Sequence, residues 1–529
     1  MTIDTSDLLL DHYHCTFYLP LFDLETSAFR PLDRLRYVYP PNKEAKTKRE
    51  EAEAQAWHYF SPMLRDILYD RGEAAPSDDA LCPVREWRLP EKAIKGWTLE
   101  LGRREHRNNP LRYQIAQIEA ATLYRYFNGI YILAWRVAAR IDAIEAAGQD
   151  GRTAMRIENW LHFTRLSRVL FPSYPQQSEE NKIQPLRLME GGDRELSVAF
   201  DQWLPISRPN SPGDILSPVV KYLLGCFCYS QDALNDYWRA LHSIYDDRLF
   251  VSAAYALADD DLDQGDYRKL YSLALHVDRH VDGFGEIGGH VYTPTDLYPR
   301  MDEETLWLWK GIGQYYGFTG AANIYLGSGS FFNTIVAPDH IPYIYDRMLI
   351  QALFYQATLR CYDAQLAEDA PRMLAPERRQ EIKARRQAFL RFTNSYWFHT
   401  LTEQMQGKEI FRLQQKALGL KQQYGLIRDQ LERTDELLRL QEAEKQEQFS
   451  SRINLWGGII AVLGAWYTLL GMWRDWWQDS GNPHGIWEWF GSWPASGWFP
   501  SSGKGFLLTV IIIPAILGIG WWRWVRRRQ

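Results

Sequence analysis

INLWGGIIAVLGAWYTLLGMW, residues 453–473, and GFLLTVIIIPAILGIGWW, residues 505–522, contain no charged side chain. A helix needs ~20 consecutive apolar residues to cross the ~30 Å hydrocarbon layer of a bilayer, and each run is about that long. Tryptophans border both runs, and the second leads into WWRWVRRRQ (521–529). Indole rings and guanidinium groups at the ends of an apolar helix suit the headgroup layer. The expectation is a two-helix transmembrane hairpin, with spans at 453–473 and 505–525, a connecting loop at 474–504 and a basic tail at 526–529.

Outward from the hairpin, the remaining chain reads as water-soluble. The 529 residues carry a net charge of −6 with 24% charged side chains, and the mean hydropathy is −0.39. Such a balance gives no general case for nucleic-acid binding. Five scattered cysteines (Cys15, Cys82, Cys226, Cys228, Cys361) suit a reducing compartment and argue against a disulfide framework. The opening residues lack the basic and apolar regions of a signal peptide, so the large N-terminal part is expected in the cytoplasm. Arg523, Arg526, Arg527 and Arg528 flank the second span, while the connecting loop has only Arg474 and Lys504 as basic residues. The positive-inside bias then places both termini on the cytoplasmic side, as expected of a bacterial inner-membrane protein that contacts lipid along both spans.

Residues 1–375 read as an enlarged α/β or α+β cytoplasmic domain. HCTFYLPLF (14–22), RLFVSAAYAL (248–257), YSLALHVD (271–278) and ANIYLG (322–327) suit strands by their aromatic and β-branched content. Apolar residues at three- and four-residue spacing suggest a long helix over 113–147, and shorter ones over 153–169 and 214–245. From His340 onward the pattern is helical. Within a helical stalk at 376–452, Leu413, Ala417, Leu420, Tyr424, Ile427, Leu431, Thr434 and Leu438 follow the alternating spacing of a heptad seam. The seam turns polar at Gln441, Lys445 and Gln448, which suits either subunit packing or a wet lumen. Gly407, Gly419 and Gly425 each weaken the continuity of such a stalk.

Several constellations were weighed as sites. Gly457, Gly464 and Thr468 share one face of the first span, as close packing or a pore lining requires. Asp475, Asp479 and Glu488 are either acidic rings that concentrate cations in an oligomer or ordinary solvated charges. His276, Asp278, His280 and Asp282 alternate in LHVDRHVD. On a strand they would share one face and offer two imidazoles and two carboxylates to a divalent ion, or form a polar or intersubunit salt-bridge surface. GSGS (327–330) lacks the lysine of a phosphate loop, and the sequence has no P-loop, GxSxG, HExxH or paired CxxC. The reading is therefore not an enzyme.

The order of parts resembles the CorA family of divalent-cation channels: a cytoplasmic domain, a long helix entering the membrane as the first span, a short external loop, a second span and a basic tail. One motif carries the resemblance in sequence. The family's first span ends in Gly-Met-Asn at the outer pore mouth, and here the corresponding residues are Gly471, Met472 and Trp473. The resemblance implies a homopentameric channel or transporter for Mg²⁺ or another divalent cation, gated by its cytoplasmic domain. Trp473 departs from the pattern. In place of the amide that touches the hydrated cation, it offers an apolar ring and one N–H donor, which favours dewetting over coordination. The soluble part also exceeds the family's usual size. This motivates a second reading, a membrane-anchored sensor or effector of the kind proposed in bacterial defence, which binds a small-molecule ligand and then permeabilises the membrane.

Overall fold

The computed structural model describes residues 8–23, 31–39, 48–70, 84–101, 114–140, 154–170, 186–191, 194–197, 217–228, 248–258, 313–369 and 379–479, with shorter pieces at 72, 105–106, 109–110, 241–244, 268, 270–271, 274–275, 304–306 and 523. Two compact units divide the chain, Met1–Leu431 and Glu432–Gln529.

The strands are β1 (Leu10–Asp23), β2 (Arg85–Arg88), β3 (Trp97–Leu101), β4 (Glu105–His106), β5 (Asn109–Pro110), β6 (Gln114–Arg125), β7 (Ile130–Arg140), β8 (Leu186–Glu190), β9 (Arg194–Glu195), β10 (Leu241–Ser243), β11 (Phe250–Leu257), β12 (Thr305–Leu306), β13 (Tyr315–Phe318) and β14 (Ala322–Ser328). All but β4 and β5 join one mixed sheet. Its order is β12-β13-β14-β11-β1-β7-β6-β3-β8-β9, with β10 on β1 and β2 on β6. Among the described pairs only β11 and β14 run parallel.

Both faces of the central strands are covered. Along β1, Tyr13, Cys15, Phe17, Leu19 and Leu21 enter one core, while Tyr18 enters the other and His12, His14 and Thr16 are also buried. The two-residue period of a strand dictates this sorting. Helices α4 (Ile157–Ser167) and α5 (Pro218–Gly225) contribute to the first core. The second core contains α1 (Lys48–Tyr59), α2 (Pro62–Leu68), a wide-turned π-helix (Phe332–Tyr345), α6 (Asp346–Asp369), α7 (Arg379–Ser395), α8 (Met405–Ala417) and the first turns of α9 (Leu420–Asp479). The short α3 (Glu91–Ile94) bridges β2 and β3. The body is a sheet between two helical layers, and each fully buried large apolar side chain contributes on the order of 2 kcal/mol to it.

Several sequence expectations are corrected. The long helix expected over 113–147 is the hairpin β6–β7, paired antiparallel from Gln117↔Ala138 to Arg125↔Tyr131. β7 and the second half of β6 (Ala121–Tyr124) are buried on both faces, so apolar residues fall at every spacing, three and four included. The turn is set by Asn128 and Gly129. Gly129 has φ +79°, a conformation open to glycine at little cost, and its carbonyl accepts from the Asp23 amide at 3.0 Å. Of the helix expected over 214–245, Pro218–Gly225 is helical as α5, whereas Leu241–Ser243 is extended against β1. Tyr271, Ala274 and Leu275 are helical where a strand was expected.

The helical C-terminal region also differs from an unbroken rod. Residues 396–404 separate α7 from α8, and α8 ends at Leu418–Gly419, with Gly419 at φ +65°. Leu413, Leu420, Ile427 and Leu431 of the heptad seam are buried in the body's own second core. Along the seam, apolar burial inside one chain produces the spacing that a coiled coil would also require. Beyond the body, α9 continues to Asp479. By length and composition it is the one helix among the described residues that can cross a membrane, and its most apolar window has no buried share.

Candidate functional site

Residues 453–473 of α9 extend over about 31 Å at ~1.5 Å per residue, the thickness of a hydrocarbon layer. Ile453, Trp456, Ile460, Val462, Leu463, Tyr467, Leu469 and Met472 are all more than half exposed. An all-round apolar helix is stable when buried in protein or in lipid, and the most apolar window of this one has no buried share. At ~100° per residue, Gly457, Gly464, Thr468 and Gly471 fall within about 60° of arc. Trp456, Ile460, Leu463, Tyr467 and Leu470 form a bulky stripe about a quarter-turn away. The helix thus has a smooth strip and a ridged strip side by side.

The sequence-derived residues sit on this helix as follows. Gly457 and Gly464 have open space where a Cβ would be. Thr468 turns its hydroxyl back to donate to the Gly464 carbonyl at 2.8 Å, which satisfies it without a partner helix. Gly471 and Met472 lie in the last turns, with Met472 67% exposed, and the backbone of Trp473 continues the helix. Asp475 is exposed and Asp479 is the last residue of α9. Residues 474–479, expected as the start of the connecting loop, are instead the end of α9. Glu488 and the rest of that loop, the second span apart from Arg523, and His276, Asp278, His280 and Asp282 lie outside the described residues. Among the described residues, no group of three or more His, Cys, Asp or Glu side chains is placed to hold a metal.

Two features of the body go beyond the sequence reading. The first is the polar joint at the head of α6. Asp346, fully enclosed, accepts from Thr16 Oγ1 on β1 (3.0 Å) and Ser252 Oγ on β11 (2.5 Å). Burial pushes its carboxyl up to about 6, against the hydrogen bonds from Ser252, Tyr18 and Thr16 and the charge of Arg136. The next residue, Arg347, donates to Glu86 Oε2 at 3.0 Å, and Arg88 donates from Nε to Glu86 Oε1 at 2.5 Å and from Nη1 to Glu53 Oε1 at 2.6 Å. Burial opposes the charge on Glu53, but Arg88, Arg49 and the Tyr37 hydroxyl together outweigh it and hold that carboxyl down at about 2. Arg88 also lies 3.7 Å over the Tyr37 ring. The chain Arg347–Glu86–Arg88–Glu53 alternates in charge and ties α1, β2 and α6 together.

The second feature is the turn Gly327–Ser330, which joins β14 to the π-helix at the C-terminal ends of the parallel pair β11/β14. Gly327 packs under the Phe332 ring, and Gly329 has φ +88°. Asn333 Nδ2 donates to the Leu257 carbonyl at the end of β11 (3.0 Å) and to Asp11 Oδ2 (3.2 Å). Phe331 beside it is 59% exposed. The carboxyl ends of parallel strands are the usual ligand edge of open α/β sheets. GSGS (327–330) lacks a phosphate-loop lysine, and what marks the turn is its strand–turn–helix context.

No family model, curated protein or solved structure matches the chain.

Proposed function

We propose that the chain is a CorA-like ion channel or transporter of a bacterial inner membrane, gated by its cytoplasmic body. The observation that carries the reading is α9 from Ile453 to Met472, uncharged, apolar on every side and with no residue buried. A core helix of similar composition would be buried, and a cleaved leader would be at the other end of the chain. In this reading the strip of Gly457, Gly464 and Thr468 faces the axis of a homopentamer, and the second span at 505–525 shields it from lipid. Gly471, Met472 and Trp473 form the outer mouth. Asp475, Asp479 and Glu488 gather cations there, Mg²⁺ or another divalent ion among them. The heptad seam does not support the assembly, since the body uses it internally as far as Leu431.

A second reading is favoured by the turn Gly327–Ser330 and the size of the body. Here the chain is a membrane-anchored sensor or effector whose body binds a small molecule at the strand ends and whose helices then open the membrane. Reconstitution of the full chain in vesicles loaded with a divalent-cation dye separates the two. Constitutive Mg²⁺, Co²⁺ or Ni²⁺ entry supports the channel, and entry only after addition of a ligand supports the effector. Absence of flux under every condition contradicts both.

A further inference from the structure

Tyr424 lies in the second turn of α9, between two glycines. Gly419 has φ +65° and ends α8, where the Leu418 amide bonds the Gln414 carbonyl at 3.1 Å and the Gly419 amide bonds the Lys416 carbonyl at 3.0 Å. The Gln423 amide then bonds the Gly419 carbonyl at 3.1 Å, and the new helix begins. At both Gly419 and Gly425 an added Cβ would meet nothing within 4 Å. The first turns of α9 pack on the body through Leu420 and Ile427, which are buried, and through Tyr424, which is half-buried.

The Tyr424 ring lies against two others. It stacks on Trp397 with centroids 4.9 Å apart and planes 23° apart, and on Phe389 of α7 at 5.8 Å and 23°. Trp397 in turn stacks on Tyr355 of α6 at 4.7 Å, whose hydroxyl accepts from the Phe398 amide at 2.9 Å. Neighbouring Phe354 stacks on Tyr126 at 3.8 Å, and Tyr396 stacks on Phe127 at 4.3 Å. Tyr126 and Phe127 belong to the β6–β7 turn. Ring contacts thus run from the sheet's longest hairpin, through α6 and the segment after α7, to the first turns of α9.

We propose that Tyr424, seated between Trp397 and Phe389, is a latch that holds residues 420–431 on the body, with Gly419 as its pivot. Glycine at 419 fits the pivot because the backbone conformation, and not crowding, requires it. Offset-stacked rings give the latch a preferred geometry that simple apolar burial lacks. A shift of the segment carrying Trp397 would open the latch without dismantling the sheet. The functional consequence rests on the channel reading, whereas the latch is a statement about residues 420–431 alone.

Hydrogen–deuterium exchange on the full chain in detergent micelles tests it. Tyr424→Ala is expected to speed amide exchange in 420–431 at least tenfold and to leave β1, β7 and β11 unchanged, while Trp397→Phe, which keeps a ring in place, stays close to the parent. Unchanged exchange in 420–431, or an equal rise in β1, β7 and β11, would overturn the latch. If Tyr424→Ala gives the local rise but the parent chain shows no vesicle flux, the latch stands and the channel reading fails.

Discussion

Arg347 Nη1 lies 3.0 Å from Glu86 Oε2, with both side chains almost wholly shielded from solvent. The preceding residue, Asp346, is just as buried but takes its partners from β1 and β11. Two consecutive charged residues at the head of α6 therefore face two different networks. Stripping a buried charge of its only partner costs about 3–5 kcal/mol, but Glu86 keeps Arg88 at 2.5 Å when Arg347 is removed. Arg347→Met is therefore expected to destabilise the full chain in detergent by less than that in a urea titration. Arg347→Met combined with Arg88→Met, which strips Glu86 of both guanidiniums, is expected to destabilise it by more than the two single losses summed. A merely additive double variant would contradict the shared pairing.

The Asp346 carboxyl predicts an unusual pH slope. Its folded value, about 6, lies above its ordinary one, so the stability it contributes is present at low pH and is lost as pH rises through 6. Glu53, at about 2, acts the other way, and its contribution is lost as pH falls below its ordinary value of 4.5. Between about pH 4.5 and 7, the Asp346 contribution falls by roughly 2 kcal/mol. Asp346→Asn is expected to flatten that part of the stability–pH curve. The same slope in parent and variant would assign it elsewhere.

The apolar stretch of α9 makes a contrast between two leucines. Leu463 and Leu426 are both exposed, at 60% and 57%, but Leu463 is at the centre of the uncharged run and Leu426 is on the body. An arginine at the centre of a spanning helix costs about 2.5–3.5 kcal/mol in insertion assays. Leu463→Arg is expected to move the protein from the carbonate-resistant membrane fraction to the extractable one, and Leu426→Arg to leave it in place. An equal response of the two would argue that 453–473 lies in no bilayer.

Trp473 makes the outer mouth testable. If its ring lines the pore, Trp473→Asn replaces an apolar face with an amide and is expected to raise divalent-cation flux in vesicles. Unchanged conductance and selectivity would show that position 473 forms no filter.

The chain's legibility varied for physical reasons. β1, β11 and β14 were readable because aromatic and β-branched residues bounded by polar turns have few other homes. The hairpin β6–β7 was not, because β7 and the second half of β6, buried on both faces, erase the period-two signal, although Asn128-Gly129 between apolar runs is a strong turn marker. The seam from Leu413 to Leu431 was legible as a pattern but ambiguous in partner, since spacing records that a face is buried and not what covers it. Asp346, Arg347 and Glu86 carried no local signal at all. Their meeting depends on residues 261 positions apart in the chain. The apolar run at 453–473 was legible because its length and freedom from charge are properties of the sequence itself.

The central claim is that the C-terminal helices conduct ions, and flux through the full chain in sealed vesicles tests it most directly. The account predicts protein-dependent entry of Mg²⁺, Co²⁺ or Ni²⁺, altered by Trp473→Asn. Vesicles that contain the inserted protein and stay impermeable, with and without candidate ligands, would contradict it.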